Sequence, residues 1–242
     1  MNSNGEMKAA SKRKSNIDDA FSVLMRGAAA ETKRQKTKPA SAKAGRRSNS
    51  NPWADKLLMY CKSPETSPRV VEFDDDIVVI KDAYPKAKHH FLVLGRKRQF
   101  SECRDLKPGN ESEHLVEAMI SAGNRVMAAA QAACGKRIAH RSGFHSLPSM
   151  NGLHLHVISQ DFVSDALKTK RHYNSFTTSF FIDAKKALTT LKEGSCIEVD
   201  ADKCNALLKQ SLRCHVCREP MKNIPCLKRH LLDHCDGDDD DY

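Results

Sequence analysis

Two histidines separated by a single residue are the first feature of the sequence that could do chemistry. His154 and His156 lie in LHLHVIS (153–159), where apolar and polar positions alternate. The alternation predicts a half-buried β-strand with its leucines and valine facing the core and both imidazoles on the opposite face. Two imidazoles held side by side on a rigid strand suit nucleophilic attack on phosphorus or metal binding. An ordinary pair of half-buried histidines is the alternative.

A second group of potential ligands lies further along the chain. Cys214, Cys217, His230 and His234 follow the spacing C-x2-C-x12-H-x3-H. Two cysteines on a tight turn and two histidines one helical turn apart can surround Zn²⁺ as a tetrahedron. The spacing therefore predicts a structural zinc site in a small ββα-like C2H2 finger. We expect the metal to supply the folding energy, because a module this small has no adequate core of its own.

The same module contains two candidate core residues and a rival ligand. Met221 and Leu227 fall where a ββα finger places its core side chains. Cys235 directly follows His234 and could compete as the fourth ligand, but His234 shares a helix face with His230. A lone finger reads only about 3 base pairs, so we expect it to aid another site rather than to read sequence.

The composition restricts the class of protein. The chain has 242 residues, a formal net charge of +10 and a pI near 9.2. This balance is typical of a protein that binds a polyanion such as nucleic acid, with a soluble protein carrying a basic tail as the alternative. The longest apolar stretch, 126–134, is too short and too polar to span a membrane. The odd count of nine cysteines and the lack of an apolar signal segment favour a reducing, intracellular compartment.

Both ends of the chain have the composition of solvated tails. Residues 1–50 contain twelve Lys and Arg against four Asp and Glu and few large apolar residues, which predicts disorder. Basic clusters at 12–14 and 33–36 predict nuclear import, with a generic phosphate-contacting tail as the alternative. An apolar island at 18–28 is a candidate docking peptide for a partner protein. Residues 236–242 form an acidic tail.

The hydrophobic pattern predicts the elements that must position these residues. Helical patterns run over 51–62 and 111–135, and Gly135 is a natural end for the second. Strand patterns cover the segments 69–74, 77–82, 89–95, 137–146 and 153–159. This order predicts an α+β fold, an antiparallel sheet with helices packed on one face. We expect a main domain at 51–182, a helical connector at 183–212 and the finger at 213–235.

Three stretches together carry a resemblance to a known family. The segments 82–94, 143–162 and 171–181, followed by the finger, resemble the aprataxin branch of the histidine-triad family, whose strand motif is His-φ-His-φ-His-φ-φ. The resemblance covers roughly residues 51–235. It implies a histidine-triad-type antiparallel sheet with helices, joined to a C-terminal C2H2 finger.

The resemblance also implies roles for the histidines. His154 is expected to be the nucleophile, and His156 to orient and stabilise the reacting phosphate. The position of the first triad histidine is occupied by Gly152, whose small size leaves room for a phosphate. We therefore expect His145, in GFHS, or a neighbour to take over the work of the missing imidazole, either by protonating the leaving phosphate or by neutralising charge.

Further residues are implied as substrate contacts. Asp82 matches an acid that binds the adenosine ribose hydroxyls, and Lys86 matches a position near phosphates. The hydroxyl of Ser149 can donate to a phosphate oxygen. Lys168 and His172 match phosphate contacts, with an exposed basic loop as the alternative. No catalytic metal is expected, because imidazolium and lysine would supply positive charge and no Cys or carboxylate stands near the HxH pattern.

The function implied is that of a nuclear DNA-repair hydrolase. It would remove AMP from 5′-adenylated DNA ends through a covalent His–AMP intermediate and leave a 5′-phosphate. AMP is then a product, DNA a partner, and the island at 18–28 a contact for a repair protein. A small-molecule hydrolase of adenosine phosphoramidates or dinucleoside polyphosphates is one alternative. A non-catalytic DNA-binding adaptor, in which Gly152 marks a decayed triad, is the other.

Overall fold

The computed structural model describes residues 55–97 and 100–235. The predicted tails at 1–50 and 236–242, with the import clusters and the docking island, lie outside the described residues. The first residues of the helix predicted at 51–62 lie outside them too. No helix within the described ranges is both long and apolar enough to cross a membrane.

The described part of the chain forms six strands and six α-helices. The strands are β1 Val70–Phe73, β2 Ile77–Lys81, β3 His90–Gly95, β4 His140–His145, β5 His154–Ser159 and β6 Phe181–Asp183. The helices are α1 Lys56–Lys62, α2 Asn110–Cys134, α3 Lys170–Thr177, α4 Ala184–Lys192, α5 Ala201–Lys209 and α6 Ile224–Cys235. The strands form one antiparallel sheet in the order β1-β2-β3-β5-β4-β6. The predicted α+β fold is confirmed.

The hairpin of β1 and β2 is closed by an acidic turn. The Asp74 carboxylate accepts hydrogen bonds from the backbone N–H groups of Asp76 and Ile77, at 2.9 and 3.0 Å. An Asp side chain that satisfies the turn in this way is why acidic residues separate the two β-branched runs. The hairpin predicted from 69–74 and 77–82 is therefore confirmed.

One face of the sheet is covered by α2. Its buried residues, among them Leu115, Met119 and Val126, belong to the same apolar cluster as Leu155 and Val157 of β5. The helix ends at the C-cap Gly135, whose φ of 68° is left-handed and suits glycine. The helix predicted at 111–135 is confirmed to within one residue at each end. Ala187 and Leu191 of α4 join this cluster beside α2.

The opposite face of the sheet is covered as well, which corrects the prediction that helices pack on one face. Leu57 of α1 packs against Val78 and Leu92, and Phe176 of α3 lies beside the histidines of β5. Strand β5 is consequently buried at every position rather than half-buried. The continuous apolar runs of β2 and β3 indicate the same two-sided burial, since strands covered on both faces do not alternate.

The helical region before the finger is part of the folded body. Strand β6 extends through Asp183, across the expected boundary at 182, and pairs with β4. Helix α3, which precedes β6, is bound to α5. The side-chain amide of Asn174 donates to carbonyl oxygens at the end of α5, including that of Gln210 at 2.9 Å. The predicted connector at 183–212 is therefore helical and packed.

The finger consists of a cysteine turn followed by α6. An isolated bridge between Arg213 and Pro220 stands where a ββα finger has its hairpin. Leu227 is fully buried and Met221 is partly buried against the same cluster, as expected for the finger core. Ile224 and Leu231 add to this core.

A matched pair of methionines tests the packing of α2. We expect Met119→Ala, at a position that is 0 % exposed, to lower the free energy of unfolding by about 2–5 kcal/mol, because it leaves a cavity against the sheet. Met59→Ala, at a position that is 69 % exposed, should change it by less than about 0.5 kcal/mol. Urea denaturation of both variants measures the difference, and equal losses would contradict this packing.

Candidate active site and zinc finger

A single cavity of about 820 Å³ lies on the face of the sheet that carries the histidines. Its lining includes all eight residues predicted for catalysis and substrate binding, namely His145, His154, His156, Asp82, Lys86, Ser149, Lys168 and His172. The structure thus brings together side chains from β4, β5, the loop after β2, the loop between β4 and β5, and the start of α3 with the residues just before it. Their individual roles stay predictions.

The hydrogen bond of His154 determines which of its ring nitrogens carries the proton. Its Nδ1 lies 2.7 Å from the carbonyl oxygen of Gly152. A carbonyl oxygen can only accept, so Nδ1 carries the proton and Nε2 keeps its lone pair. Burial lowers the pKa of His154, against the opposing effects of this hydrogen bond and of Asp82. The ring is therefore neutral at pH 7 and has a free lone pair, as a nucleophile requires.

A second histidine, His90 of β3, fixes the tautomer of His156. The backbone N–H of Lys86 donates to Nδ1 of His90 at 3.1 Å, so the proton of the neutral His90 ring is on Nε2. This Nε2 lies 3.0 Å from Nδ1 of His156 and donates to it. His156 consequently carries its own proton on Nε2. That atom is buried and has no hydrogen-bond partner among the described residues, so its proton is left without an acceptor.

Asp82 stands behind this pair of rings. Its Oδ2 is 3.5 Å from Nδ1 of His90, and its Oδ1 accepts from the backbone N–H of Tyr84 at 2.6 Å. Burial lowers the pKa of His90 to about 4, although the Asp82 carboxylate acts in the opposite direction. Asp82 and His90 therefore do not form an ion pair at pH 7.

The position of Asp82 corrects the expectation that no carboxylate stands near the histidines. Donor atoms of Asp82, His90 and His156 lie within 4.8 Å of one another, as in a possible metal site. However, Asp82 and His156 approach opposite nitrogens of the His90 ring. One ion cannot bind both of those nitrogens, so this geometry does not suit a chelate formed by all three residues.

His145 lies at the end of β4 against the same cluster of rings. Its ring centroid is 4.2 Å from that of His156 and 4.6 Å from that of Phe176. Its Nε2 is buried without a hydrogen-bond partner in the described ranges. Burial, followed by the neighbouring His154, holds the pKa of His145 well below its usual value, and burial has the same effect on the pKa of His156. Together with Nε2 of His156, the Nε2 atom of His145 is thus a second buried polar atom of the site without a hydrogen-bond partner in the described ranges.

The neutral state of these imidazoles differs from the expectation that imidazolium supplies positive charge. Before substrate binds, the cationic side chains in the cavity lining are those of Lys56, Lys81, Lys86, Lys168 and Arg171. Those of Lys168 and Arg171 are exposed. The site therefore combines a neutral imidazole floor with lysine and arginine side chains.

Several lining residues were missed by sequence reasoning. His90 joins the site because it lies two residues from Leu92, which pairs with His156, so all three side chains share one face of the sheet. Arg171 and Phe176 come from α3, a helix that the sequence analysis did not predict. This helix begins at Thr169, whose hydroxyl accepts from the backbone N–H of His172 as an N-cap.

The four predicted zinc ligands form a compact cluster. Donor atoms of Cys214, Cys217, His230 and His234 lie within 4.8 Å of one another. The Cys217 Sγ is 3.0 Å from Nε2 of His230, which is 3.1 Å from Nε2 of His234. Two thiols and two imidazoles in this arrangement are the donor set of a structural Zn²⁺ site, and these four residues would hold it. Competition by Cys235 for the position of the fourth ligand stays a prediction.

Comparisons with known proteins match both parts of the chain. A family model described as "Scavenger mRNA decapping enzyme C-term binding" matches residues 56–172. A second model, described as "C2HE / C2H2 / C2HC zinc-binding finger", matches residues 177–237. The second match agrees with the cluster of two cysteines and two histidines and supports structural zinc.

Curated relatives cover most of the chain. An aprataxin-like protein of Saccharomyces cerevisiae is 34 % identical, over 74 % of this chain and 94 % of its own length. The chain belongs to the aprataxin family. Aprataxins of Ciona intestinalis and Gallus gallus are 40 % and 38 % identical over 76 % and 81 % of this chain. The chain matches 46 % and 59 % of their lengths, and thus spans about half of these longer aprataxins.

Solved structures of the aprataxin family have the same fold. The aprataxin ortholog Hnt3 from Schizosaccharomyces pombe is 29 % identical, with a TM-score of 0.63, over 76 % of this chain and 94 % of its own. A structure titled as aprataxin ortholog Hnt3 in complex with DNA gives the same TM-score, identity and coverage. A histidine-triad-type sheet joined to a zinc finger is therefore confirmed for this aprataxin-family chain.

Gly152 is where this aprataxin-family chain departs from the triad pattern. Its φ of +95° is a conformation that L-residues rarely adopt, and a Cβ there would lie 3.1 Å from Cδ2 of Leu58. Gly152 lines a second cavity of about 440 Å³, rather than the main one that contains His154. The room that Gly152 leaves thus lies in this second cavity, and the expectation that a phosphate occupies it stays a prediction. The carbonyl oxygen of Gly152 accepts the hydrogen bond from Nδ1–H of His154.

Two glycine variants test this backbone contribution. Gly152→Ala and Gly135→Ala both place a Cβ on left-handed backbone, and each should lower the free energy of unfolding by about 1–2 kcal/mol. We expect only Gly152→Ala to move the carbonyl away from His154 and to populate the other tautomer. Nitrogen NMR of the His154 imidazole would show this. An unchanged tautomer in Gly152→Ala would mean that the carbonyl does not fix it.

Proposed function

We propose that the protein is a DNA-repair hydrolase of the nucleus that removes AMP from 5′-adenylated DNA ends. The observation that carries the proposal is the state of His154, a neutral imidazole whose Nδ1 is held by the Gly152 carbonyl and which lines a cavity of nucleotide size. Membership of the aprataxin family supports the reaction class. The crystallisation of Hnt3 with DNA supports the substrate class.

The proposed reaction proceeds in two steps at one phosphorus atom. The lone pair on Nε2 of His154 forms a bond to the adenylate phosphorus. The bond from that phosphorus to the bridging oxygen breaks, and its electron pair leaves with the 5′-phosphate of the DNA. Water then attacks the phosphorus of the His–AMP intermediate, releases AMP and a proton, and restores neutral His154. The Gly152 carbonyl stabilises the positive charge that the ring gains in the intermediate.

The neighbouring rings stabilise the reacting phosphate. His156 donates from Nε2, whose proton is placed there by His90, to a non-bridging oxygen. His145 supplies a second buried ring nitrogen within the same cluster, close to His156. Because these groups are fixed on strands before substrate arrives, little reorganisation accompanies the reaction. The nearby Phe176 ring excludes water from this side of the imidazoles.

The exposed cations at the cavity suit a DNA-linked substrate. Lys168 and Arg171 lie at its rim, and Ser149 and His172 are available to phosphate oxygens. Asp82, in the lining beside His90, is available to the ribose hydroxyls. Contacts to phosphate do not depend on base sequence, which suits an enzyme that acts at any adenylated end. The basic clusters at 12–14 and 33–36 support nuclear import, and the island at 18–28 is proposed to bind a repair protein.

A pair of histidine variants tests the nucleophile on a nicked duplex capped with 5′-AMP. We expect His154→Ala to lower the rate of AMP release by on the order of 10³-fold or more, because it removes the attacking nitrogen. His140→Ala changes an exposed histidine of β4 and should keep the wild-type rate. Wild-type protein that is denatured in alkali should carry a labelled AMP on His154, because a histidine phosphoramidate is stable in base and labile in acid. Release at the wild-type rate by His154→Ala would overturn the assignment.

The pH dependence of kcat/KM tests the lowered pKa of His154. The attacking ring must be neutral, so activity should fall as the pH drops through the pKa of His154 in the free protein. Because burial lowers this pKa, the midpoint of the acid limb should lie below the ordinary histidine value of about 6.5. A rate profile from pH 4 to 8 measures it. A midpoint at or above 6.5 would contradict the neutral, buried state.

A further inference from the structure

The finger and the cavity share one apolar cluster. Cys214, a predicted zinc ligand, is fully buried in a cluster that also contains Phe162, Tyr173 and Phe176. Phe176 also lines the cavity. The finger is therefore continuous with the wall of the active site, and its folding cannot be separated from the packing of α3.

Tyr173 attaches the cysteine turn of the finger to α3. The backbone N–H of His215, between the two cysteine ligands, donates to the Tyr173 hydroxyl at 2.9 Å. That hydroxyl donates in turn to Nδ1 of His215, also at 2.9 Å. Tyr173 is 0 % exposed, so its hydroxyl could not turn to water if the pair were broken.

A series of ring contacts runs from the finger to the catalytic histidines. The ring centroid of Phe162 is 5.2 Å from that of His215 and 6.3 Å from that of Phe176. Phe176 is in turn 4.6 Å from His145 and 5.2 Å from His156. A displacement of the cysteine turn would therefore reach the imidazoles through two phenylalanine rings.

A second connection runs from α6 to the loop that carries Lys86. The Lys228 Nζ donates to the carbonyl oxygen of Ser164 at 2.7 Å. The Ser164 hydroxyl donates to the carbonyl oxygen of Pro85 at 2.6 Å. Pro85 directly precedes Lys86, whose backbone N–H donates to His90. The finger thus supports the cavity from two sides.

We propose that the finger is a structural support of the adenylate cavity, with Tyr173 as the positioning residue that transmits its folded state to α3. The finger is then needed even for substrates that are too small to reach it. The proposal rests on the function proposed above and adds a role for the finger beyond contact with DNA. Its physical basis is that small displacements of catalytic groups cost large factors in rate.

The test compares a small adenylate with a DNA-linked one. Adenosine 5′-phosphoramidate and the adenylated nick are the two substrates, and Tyr173→Phe keeps the ring while removing both hydrogen bonds. We expect its kcat to fall by on the order of three- to tenfold on both substrates alike. Val216→Ala, an exposed position in the same cysteine turn, is the matched control and should keep the wild-type kcat on the phosphoramidate.

The two substrates distinguish a failure of this proposal from a failure of the proposed function. If Tyr173→Phe keeps the wild-type kcat on the phosphoramidate and raises KM for the nick alone, the finger is a DNA clamp only and the proposal is wrong. If the wild type releases AMP from the phosphoramidate but not from DNA, the proposed substrate is wrong. The role of the finger is then still decided by the phosphoramidate measurements.

A measurement without turnover covers the case in which Tyr173→Phe fails to fold or to retain metal. Zinc is removed from the wild-type protein with a chelator and restored afterwards, and the imidazole NMR signals of His145 and His156 are followed. We expect both signals to shift when zinc is removed and to return with it, because Phe176 moves against their rings. Signals that stay unchanged in the zinc-free protein would overturn the proposal.

Discussion

The site depends on burying four imidazoles together on one face of a sheet without charging any of them. Each gives up favourable hydration of its charged form, which is why burial is the leading cause of every lowered pKa among them. Below pH 6.5 these histidines become protonated in the unfolded chain, whereas the buried rings of the folded chain stay neutral until a lower pH. The free energy of unfolding is therefore lower in acid. The loss grows as the pH falls towards about 4, the pKa of His90 in the folded chain.

Neutrality has a geometric consequence as well. A neutral imidazole has one donor and one acceptor, so each contact on one nitrogen decides the state of the other. The Lys86 N–H determines the tautomer of His90, and His90 determines that of His156. The Gly152 carbonyl determines the tautomer of His154 independently. The two histidines of the HxH motif thereby present opposite groups, a lone pair and a proton. Attack on a phosphate and stabilisation of its oxygens need that difference.

The extent to which the sequence predicted this arrangement differs by element. The zinc ligands and α2 follow from spacing alone, because local geometry places residues one helical turn apart on one face. His90 needed the register of β3 against β5, which is a tertiary property. Helix α3 was missed because its segment is polar and aromatic rather than periodic, and it is stabilised by burial of Tyr173 and Phe176 against other elements. The histidines themselves gave no sign that their face of the sheet is covered.

The size of the finger explains why it merges with the sheet. A module at 213–235 offers few apolar residues, and its Leu227 and Leu231 complete their burial against Phe162 and Tyr173. Metal binding adds folding energy to this shared cluster rather than to the finger alone. The same cluster forms the wall behind His145 and His156 through Phe176. A chain that lost the finger would expose this wall, so the fold of the finger and the integrity of the cavity are physically coupled in one piece of structure.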